Sequence, residues 1–329
     1  IAVATMFSFR ARFAGMRTAP GQWRNPGQSA AESLLIQAKD GQTNSTKFSF
    51  ENDMYRIVQS RSATDQEHRD GAMSSNRRKS SVLAADELAA CEVVNAQGRS
   101  PIVLACEHAG KVLPRSLGSL GLTEAHLEAH IAWDIGAAEV ARRMAERLDA
   151  PLYLQTYSRL VCDCNRHPSV GDFVPVRSED IDIPGNVGLS TAQVEARRSE
   201  VHAPFHDTIA AAIDRRLAQD RETIVVSIHS FTPVFLGYNR PWHVGVLYNR
   251  DPAVAQKALA ALRGQKGLCV GDNEPYSMSD ETDYTIPVHS EQRKLPGVEF
   301  EIRNDQIQNA GGQDDWAARL SQLLLDTLR

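Results

Sequence analysis

Residues able to hold a metal ion and move a proton collect at the ends of apolar runs in this sequence. Glu107 and His108 follow "IVLAC", Asp163, Asn165 and Arg166 follow "SRLVC", and His229 closes "IVVSI". A single histidine at a strand end is ordinarily a satisfied structural group. Two of them, with carboxylates at equivalent edges of one sheet, suit Zn²⁺ held by two imidazoles and a carboxylate, with a position left open for water. Neither histidine has a partner at the i,i+4 spacing of a helical zinc site, so the fold must assemble the ligands. Glu301 lies inside the strand-like run "GVEFEIRND", bracketed by Phe300 and Ile302. In structural terms it would be half of a Glu–Arg pair on a partly exposed face, since Glu299 and Arg303 share its parity. In functional terms it would be a general base, whose pKa burial would tune toward neutrality.

The elements that must position these residues read as an α/β domain. "SPIVLACEHAG" (100–110), "TIVVSIHS" (223–230), "HVGVLYN" (243–249) and "GVEFEIRND" (297–305) have the texture of covered strands. "PLYLQTYSRLVCDCNR" (151–166) supplies one or two more. Thr123 caps a predicted helix with Ile131, Ile135, Val140, Met144 and Leu148 on one side. Ser190 and Gln193 have capping-box spacing and open a helix through Val194, Val201, Phe205, Ile209 and Ile213, which Pro204 should kink or divide. "DPAVAQKALAALRGQ" (251–265) and "WAARLSQLLLDTLR" (316–329) are amphipathic helices. Strands alternating with helices predict three layers, α/β/α, around a mainly parallel or mixed sheet. Ligands of such sheets bind outside the carboxyl ends of the strands, where the polar residues stand.

Composition limits the alternatives. With 41 acidic against 36 basic residues in 329, there is no electrostatic reason to expect nucleic acid or a membrane surface as partner. No apolar run approaches the roughly 18 residues of a membrane helix. Five dispersed cysteines fit a reducing, cytoplasmic setting. Cys162 and Cys164 in "CDC" invite a metal reading, but strand alternation would turn both the same way as ordinary buried cysteines. Residues 1–80 are small and polar, without sustained periodicity, and are expected to be a disordered or mis-assigned extension with initiation at Met54 or Met73. Their acid-poor, Arg-containing start gives an organelle transit peptide as the alternative. Residues 81–329 are expected to form the single catalytic domain. A G-x-S-x-G elbow and a glycine-rich phosphate loop are both missing, which argues against a serine hydrolase and a nucleotide-binding protein.

Five stretches, "CEHAGKVLP", "HIAWDIGA", "SRLVCDCNR", "IHSFTPVF" and "GVEFEIRNDQI", together resemble the N-formylglutamate amidohydrolase family, in order from Ser100 to Ile307. "SIHS", "DCNR" and "FEIRND" more distantly resemble zinc carboxypeptidases. The resemblance implies a zinc-carboxypeptidase-like fold, Zn²⁺ or another divalent metal, and a small-molecule amide substrate. N-formyl-L-glutamate would be cleaved to formate and L-glutamate, a deformylase step of histidine degradation. It implies that His108 and His229 are metal ligands, that Glu301 is the base, and that Asn165 and Arg166 grip a substrate carboxylate. The carboxypeptidase glutamate three residues after the first histidine is Lys111 here. The third ligand must come from elsewhere, and Asp134, between Trp133 and Ile135, is preferred over Glu107. Arg159 would stabilise the oxyanion and His289 would touch substrate. A metallopeptidase or deacylase of cell-wall peptides and a metal-free binding module are the rival readings of the same frame.

Overall fold

The apolar runs become neighbouring strands of one sheet. A computed structural model of the protein describes residues 81–327; the expectations for residues 1–80 lie outside the described residues. In chain order the strands are β1 (Cys91–Val94), β2 (Ile102–Cys106), β3 (Leu152–Gln155), β4 (Arg177–Ser178), β5 (Ile181–Asp182), β6 (Ile224–Phe231), β7 (Val234–Phe235), β8 (Tyr238–Asn239), β9 (Val244–Leu247), β10 (Val270–Asp272) and β11 (Gly297–Arg303). Seven of them make the central sheet in the order β1-β3-β2-β6-β11-β9-β10, while β4–β5 and β7–β8 are separate two-stranded hairpins. The helices are α1 (Glu124–Glu128), α2 (Ala137–Leu148), α3 (Thr191–Arg197), α4 (Ala203–Leu217), α5 (Ala253–Arg263) and α6 (Ala310–Thr327). No helix among the described residues is long and apolar enough to cross a membrane.

Strand alternation sorts the sheet into two faces. Ile102, Leu104, Ile224, Val226, Ile228, Phe300 and Ile302 pack with α2, α5 and α6 in one cluster. Val103, Ala105, Tyr153 and Val225 pack with Val201, Phe205, Ile209 and Ile213 in another. Each fully buried aliphatic chain there contributes about 1.5–3 kcal/mol relative to exposure. The second face changes character along the strands. Past Val225 its positions are Ser227 and His229, and on β11 they are Glu299 and Glu301, all buried. The polar layer thus begins where the apolar one stops, on one face of two parallel strands in register Glu299↔Ser227 and Glu301↔His229.

The sheet is mixed. β2, β3, β6 and β11 run parallel, but β9 is antiparallel to β11 and β1 antiparallel to β3. A parallel neighbour needs a crossover, usually helical, that returns the chain to the starting edge. The chain leaving β6 instead makes the β7–β8 hairpin and enters β9 from the same end of the sheet, so β9 must run back. The stretch 151–166 yields one strand, and residues from Tyr157 onward turn away after an isolated bridge between Val112 and Tyr157. Ser190 and Gln193 do form a capping box, and the helix they open passes through a π-turn at Arg198–His202 just before Pro204.

The predicted helix from Thr123 is two helices. Thr123 caps α1, accepting from the His126 amide at 3.3 Å, but α1 ends after one turn. Residues 129–136 leave the helix so that the Asp134 amide can donate to the His108 carbonyl at 2.9 Å. Gly136 restarts it as the N-cap of α2 at φ 83°, where a Cβ would lie 2.4 Å from the Ile307 carbonyl oxygen. That left-handed conformation costs an L-residue about 1–2 kcal/mol before the collision is counted. Gly136→Ala is therefore expected to lower stability by at least that amount in urea denaturation. A wild-type midpoint would remove the steric account of this break.

Candidate active site

Four elements converge at the carboxyl ends of β2 and β6. β2 delivers Glu107 and His108, β6 delivers Ser227 and His229, the α1–α2 break delivers Asp134, and the turn after β3 delivers Asp163. The two imidazoles stand edge to face, with centroids 4.8 Å apart. His108 Nε2 donates to Asp163 Oδ1 at 2.7 Å. Its Nδ1 is buried without a hydrogen-bond partner, 3.5 Å from Asp134 Oδ2. His229 Nδ1 lies 2.8 Å from the same Asp134 oxygen, which also accepts from the Ser230 amide at 3.1 Å. On the other side of that ring, Nε2 is 2.9 Å from Glu107 Oε2 but not aligned for a hydrogen bond.

This donor set suits a divalent metal. His108, Asp134 and His229 each offer an atom within 4.8 Å of the others'. Two imidazoles and a carboxylate are zinc-type ligands. Asp163 holds the proton on the far nitrogen of His108 and leaves Nδ1 bare. Whichever nitrogen of His229 a cation took, the other would still face a carboxylate, the usual support behind a ligating histidine. Of the two candidates for the carboxylate ligand, Asp134 stands between the imidazoles, whereas Glu107 lies behind His229 and accepts from Ser227 Oγ at 2.7 Å.

The buried charges respond to one another. Burial raises Glu107, but the charge of His229 beside it and the hydrogen bond from Ser227 override it and hold the group at about 2. Asp134 and Asp163 are also held low against their burial, Asp134 by His108 and His229, Asp163 by Arg159 and His108. His229 is raised well above the usual range despite burial, because Glu299, Asp134 and Glu107 surround it. Those carboxylates favour positive charge at that point, which a proton or a cation can meet, and the two compete. Glu301 is pushed up to about 8, chiefly by burial, and its Oε2 has no partner. Neither Glu299 nor Glu301 pairs with Arg303, which binds Asp305 instead, so the exposed Glu–Arg pair does not form.

The remaining predicted residues occupy distinct positions. Arg159 grips Asp163 through Nε at 3.1 Å and Nη2 at 2.6 Å, and its Nη1 reaches Asp134 Oδ1 at 3.5 Å. Asn165 has every amide valence occupied within the protein. Its Nδ2 donates to Asp283 and, at 3.4 Å, to Glu299, while its Oδ1 accepts from the amides of Tyr284 and Thr285. It ties the 279–285 loop to the sheet end. Arg166 reaches Asp172 and the carbonyls of Asn165 and Thr282. His289 is enclosed and stacked on His206. His206 Nε2 must donate to the Cys164 carbonyl at 2.7 Å, so its Nδ1 accepts from His289 Nε2 at 3.0 Å, which leaves His289 Nδ1 bare. Burial, with Arg293, lowers His289 to about 3 and keeps it neutral.

Other side chains belong to the site without a role assigned from sequence. Asp163 is visible as the acid of "CDCNR", but only the turn that carries it against His108 reveals that it orients a ring. The flanking Cys162 and Cys164 sulfurs lie in the second core cluster, and Cys164 accepts from Gln155 Nε2 at 2.9 Å. All five cysteines are free thiols, and none joins the metal-capable group. Glu299, Asp283 and Arg240 carry no local sequence signal beyond being polar.

Residues 100–308 match the family model described as N-formylglutamate amidohydrolase. The crystal structure of a gene product from Agrobacterium tumefaciens is 41% identical, covering 75% of this chain and 98% of its own, with a TM-score of 0.73. The N-formylglutamate amidohydrolase of Ralstonia eutropha JMP134 is 16% identical over 73% of this chain and 97% of its own, with a TM-score of 0.56, a likeness of fold. No curated protein matches the chain. Because the matched region runs from β2 through β11 and encloses the site just described, this chain belongs to the N-formylglutamate amidohydrolase family, hydrolases of amide bonds.

Proposed function

We propose that the protein is a metal-dependent amidohydrolase that cleaves N-formyl-L-glutamate to formate and L-glutamate, with His108, Asp134 and His229 holding Zn²⁺. The observation that carries the reading is the pair of imidazoles turned onto one Asp134 oxygen, each backed by a second carboxylate, beside a buried glutamate with a free oxygen. Zn²⁺ bound there supplies Lewis acidity, which acidifies water and polarises an acyl oxygen. The chain's own residues do the rest. Glu301 takes a proton from the attacking water and delivers it to the departing nitrogen, so water's oxygen joins the formyl carbon as the C–N bond breaks. A carboxyl poised near neutrality suits both halves of that exchange. Arg159, fixed by Asp163, offers Nη1 to the negative oxygen of the tetrahedral intermediate. Arg166 receives a substrate carboxylate, with Asn165 ordering the loop beside it and neutral His289 closing the wall behind.

Three substitutions in the full chain separate these roles. Elemental analysis is expected to find near-stoichiometric zinc in the wild type and almost none in His229→Ala. No metal in either protein, even after zinc is supplied, overturns the metal-dependent reading and favours a binding module. Glu301→Gln is expected to keep its metal and lose roughly 10²–10⁴-fold in kcat for formate release; normal turnover would falsify the general-base role. Asp163→Asn removes the acceptor behind His108 and should weaken zinc affinity roughly 10- to 100-fold in a chelator competition. Unchanged affinity would reduce Asp163 to a partner of Arg159.

A further inference from the structure

Arg240 stands just after the β7–β8 hairpin, 5% exposed, with its guanidinium packed on three rings. Its Cζ lies 4.5 Å from the centroid of Phe235, 4.8 Å from Tyr276 and 5.7 Å from Phe231. Arg159 and Arg166 each pair with an aspartate. Arg240 makes no ion pair among the described residues. Its Nη1 makes one long hydrogen bond, 3.5 Å to the Thr232 carbonyl, and the Tyr276 side chain is a neutral polar neighbour. Ring stacking occupies the faces of a guanidinium but leaves its in-plane N–H fork available. A buried cation whose fork meets no carboxylate is costly unless something supplies the acceptors.

The location of this cation bears on substrate. Phe231, under its guanidinium, lies two residues past His229 on β6, and Arg303, which holds its carbonyl, lies two past Glu301 on the paired β11, so Arg240 borders the catalytic end of the site, where its charge bears on Glu301. The charged neighbours of Arg166 are different: Asp163, Arg159, Asp172 and Asp283. The backbone around Arg240 is fixed. Its amide donates to the Pro233 carbonyl at 2.8 Å, and Arg303 Nη1 donates to its carbonyl at 3.1 Å. The guanidinium is therefore a preorganised cation, held by rings and backbone without an ion pair among the described residues.

We propose that Arg240 is a second carboxylate-recognising residue, which makes the site selective for diacidic N-acyl amino acids by pairing with one carboxylate while Arg166 pairs with the other. This rests on the amidohydrolase reading for its substrate class. A planar guanidinium fork matches a carboxylate bidentately, so a neutral isostere of that group leaves the fork unmet and is rejected.

The test compares N-formyl-L-glutamate with N-formyl-L-glutamine, its uncharged isostere, in the full chain and in Arg240→Met and Arg240→Lys, with circular dichroism and melting temperature to establish folding. The wild type is expected to prefer the diacid in kcat/KM. Arg240→Met should reduce the diacid-to-amide ratio roughly 10- to 100-fold, mostly through KM, because a hydrogen-bonded ionic contact is lost. Arg240→Lys should recover part of the ratio, since charge returns without the fork. A folded Arg240→Met with the wild-type ratio overturns the proposal and leaves Arg240 as packing for the hairpin. If Arg240→Met does not fold, Arg240→Lys decides, and an unchanged ratio again overturns it. If the wild type cleaves neither compound, the amidohydrolase reading fails separately. Calorimetric titration with L-glutamate then decides Arg240. A roughly 10-fold or greater weakening in either folded variant supports it, and equal affinity or no binding to the wild type overturns it.

Discussion

The site depends on keeping several carboxylates buried in one place without letting them repel one another. Glu107, Asp134, Asp163, Glu299 and Glu301 are all buried around His108, His229 and Arg159. At short range and low effective dielectric, unscreened like charges would open such a cluster. The protein resolves the conflict by dividing labour. Glu107, Asp134 and Asp163 stay ionised because imidazoles and Arg159 stand against them. Glu299 and Glu301, farther from those donors, are raised by burial and by the neighbouring negative charge. A divalent cation between the imidazoles would relieve the same repulsion, so an arrangement costly for the bare protein becomes favourable for a metalloenzyme. The separation into low and high carboxyls also separates roles, since groups held low suit ligation and orientation and a group held near neutrality suits proton transfer.

The fold supplies this cluster by letting one face of two parallel strands change chemistry along its length. Val225, Ser227 and His229 succeed one another on that face of β6, as Gly297, Glu299 and Glu301 do on β11. The early positions pack the strands into the core and the later ones face the site. The pairing of His229 with Glu301 follows from strand register, which hydrophobic residues on the opposite face enforce. A slip of one residue would send Ile228 and Phe300 into the polar layer and both functional groups into the core, a double loss that fixes the register.

How much of this is legible in the sequence varies with the range of the interaction. Strand-end histidines announce themselves, because an apolar run that stops on an imidazole places a polar ring where burial ends. The capping box at Ser190 and Gln193 is settled within four residues. The helix through Asp134 misleads because Ile131, Ile135 and Val140 keep helical spacing across a break. A hydrogen bond to the His108 carbonyl, from a different element, interrupts it there, and the only local trace is Gly136. Asp163 is visibly polar, but its contact with His108 crosses 55 residues of chain. Glu299 has the parity of a partner for Arg303, yet parity records which face a side chain takes, not what the neighbouring element places against it.

The least legible feature, the reversal that makes β9 antiparallel, accounts for a buried arginine at this end of the molecule. A helical crossover after β6 would have carried the chain away from His229. The direct hairpin instead keeps residues 232–243 at the catalytic end, where Phe231, at the end of β6, and Phe235 on the hairpin supply two of the rings around Arg240. The third ring needs β9 to lie close to the 274–276 segment. Gly245 permits that approach, since a Cβ there would fall 2.0 Å from the Glu274 carbonyl oxygen. Tyr276, two residues on, thereby meets both Arg240 and the field of Glu301. The topology that departs from a purely parallel sheet is thus also what brings a cation without an ion pair among the described residues beside Glu301, the proposed general base, where a substrate's own negative charge would complete the site.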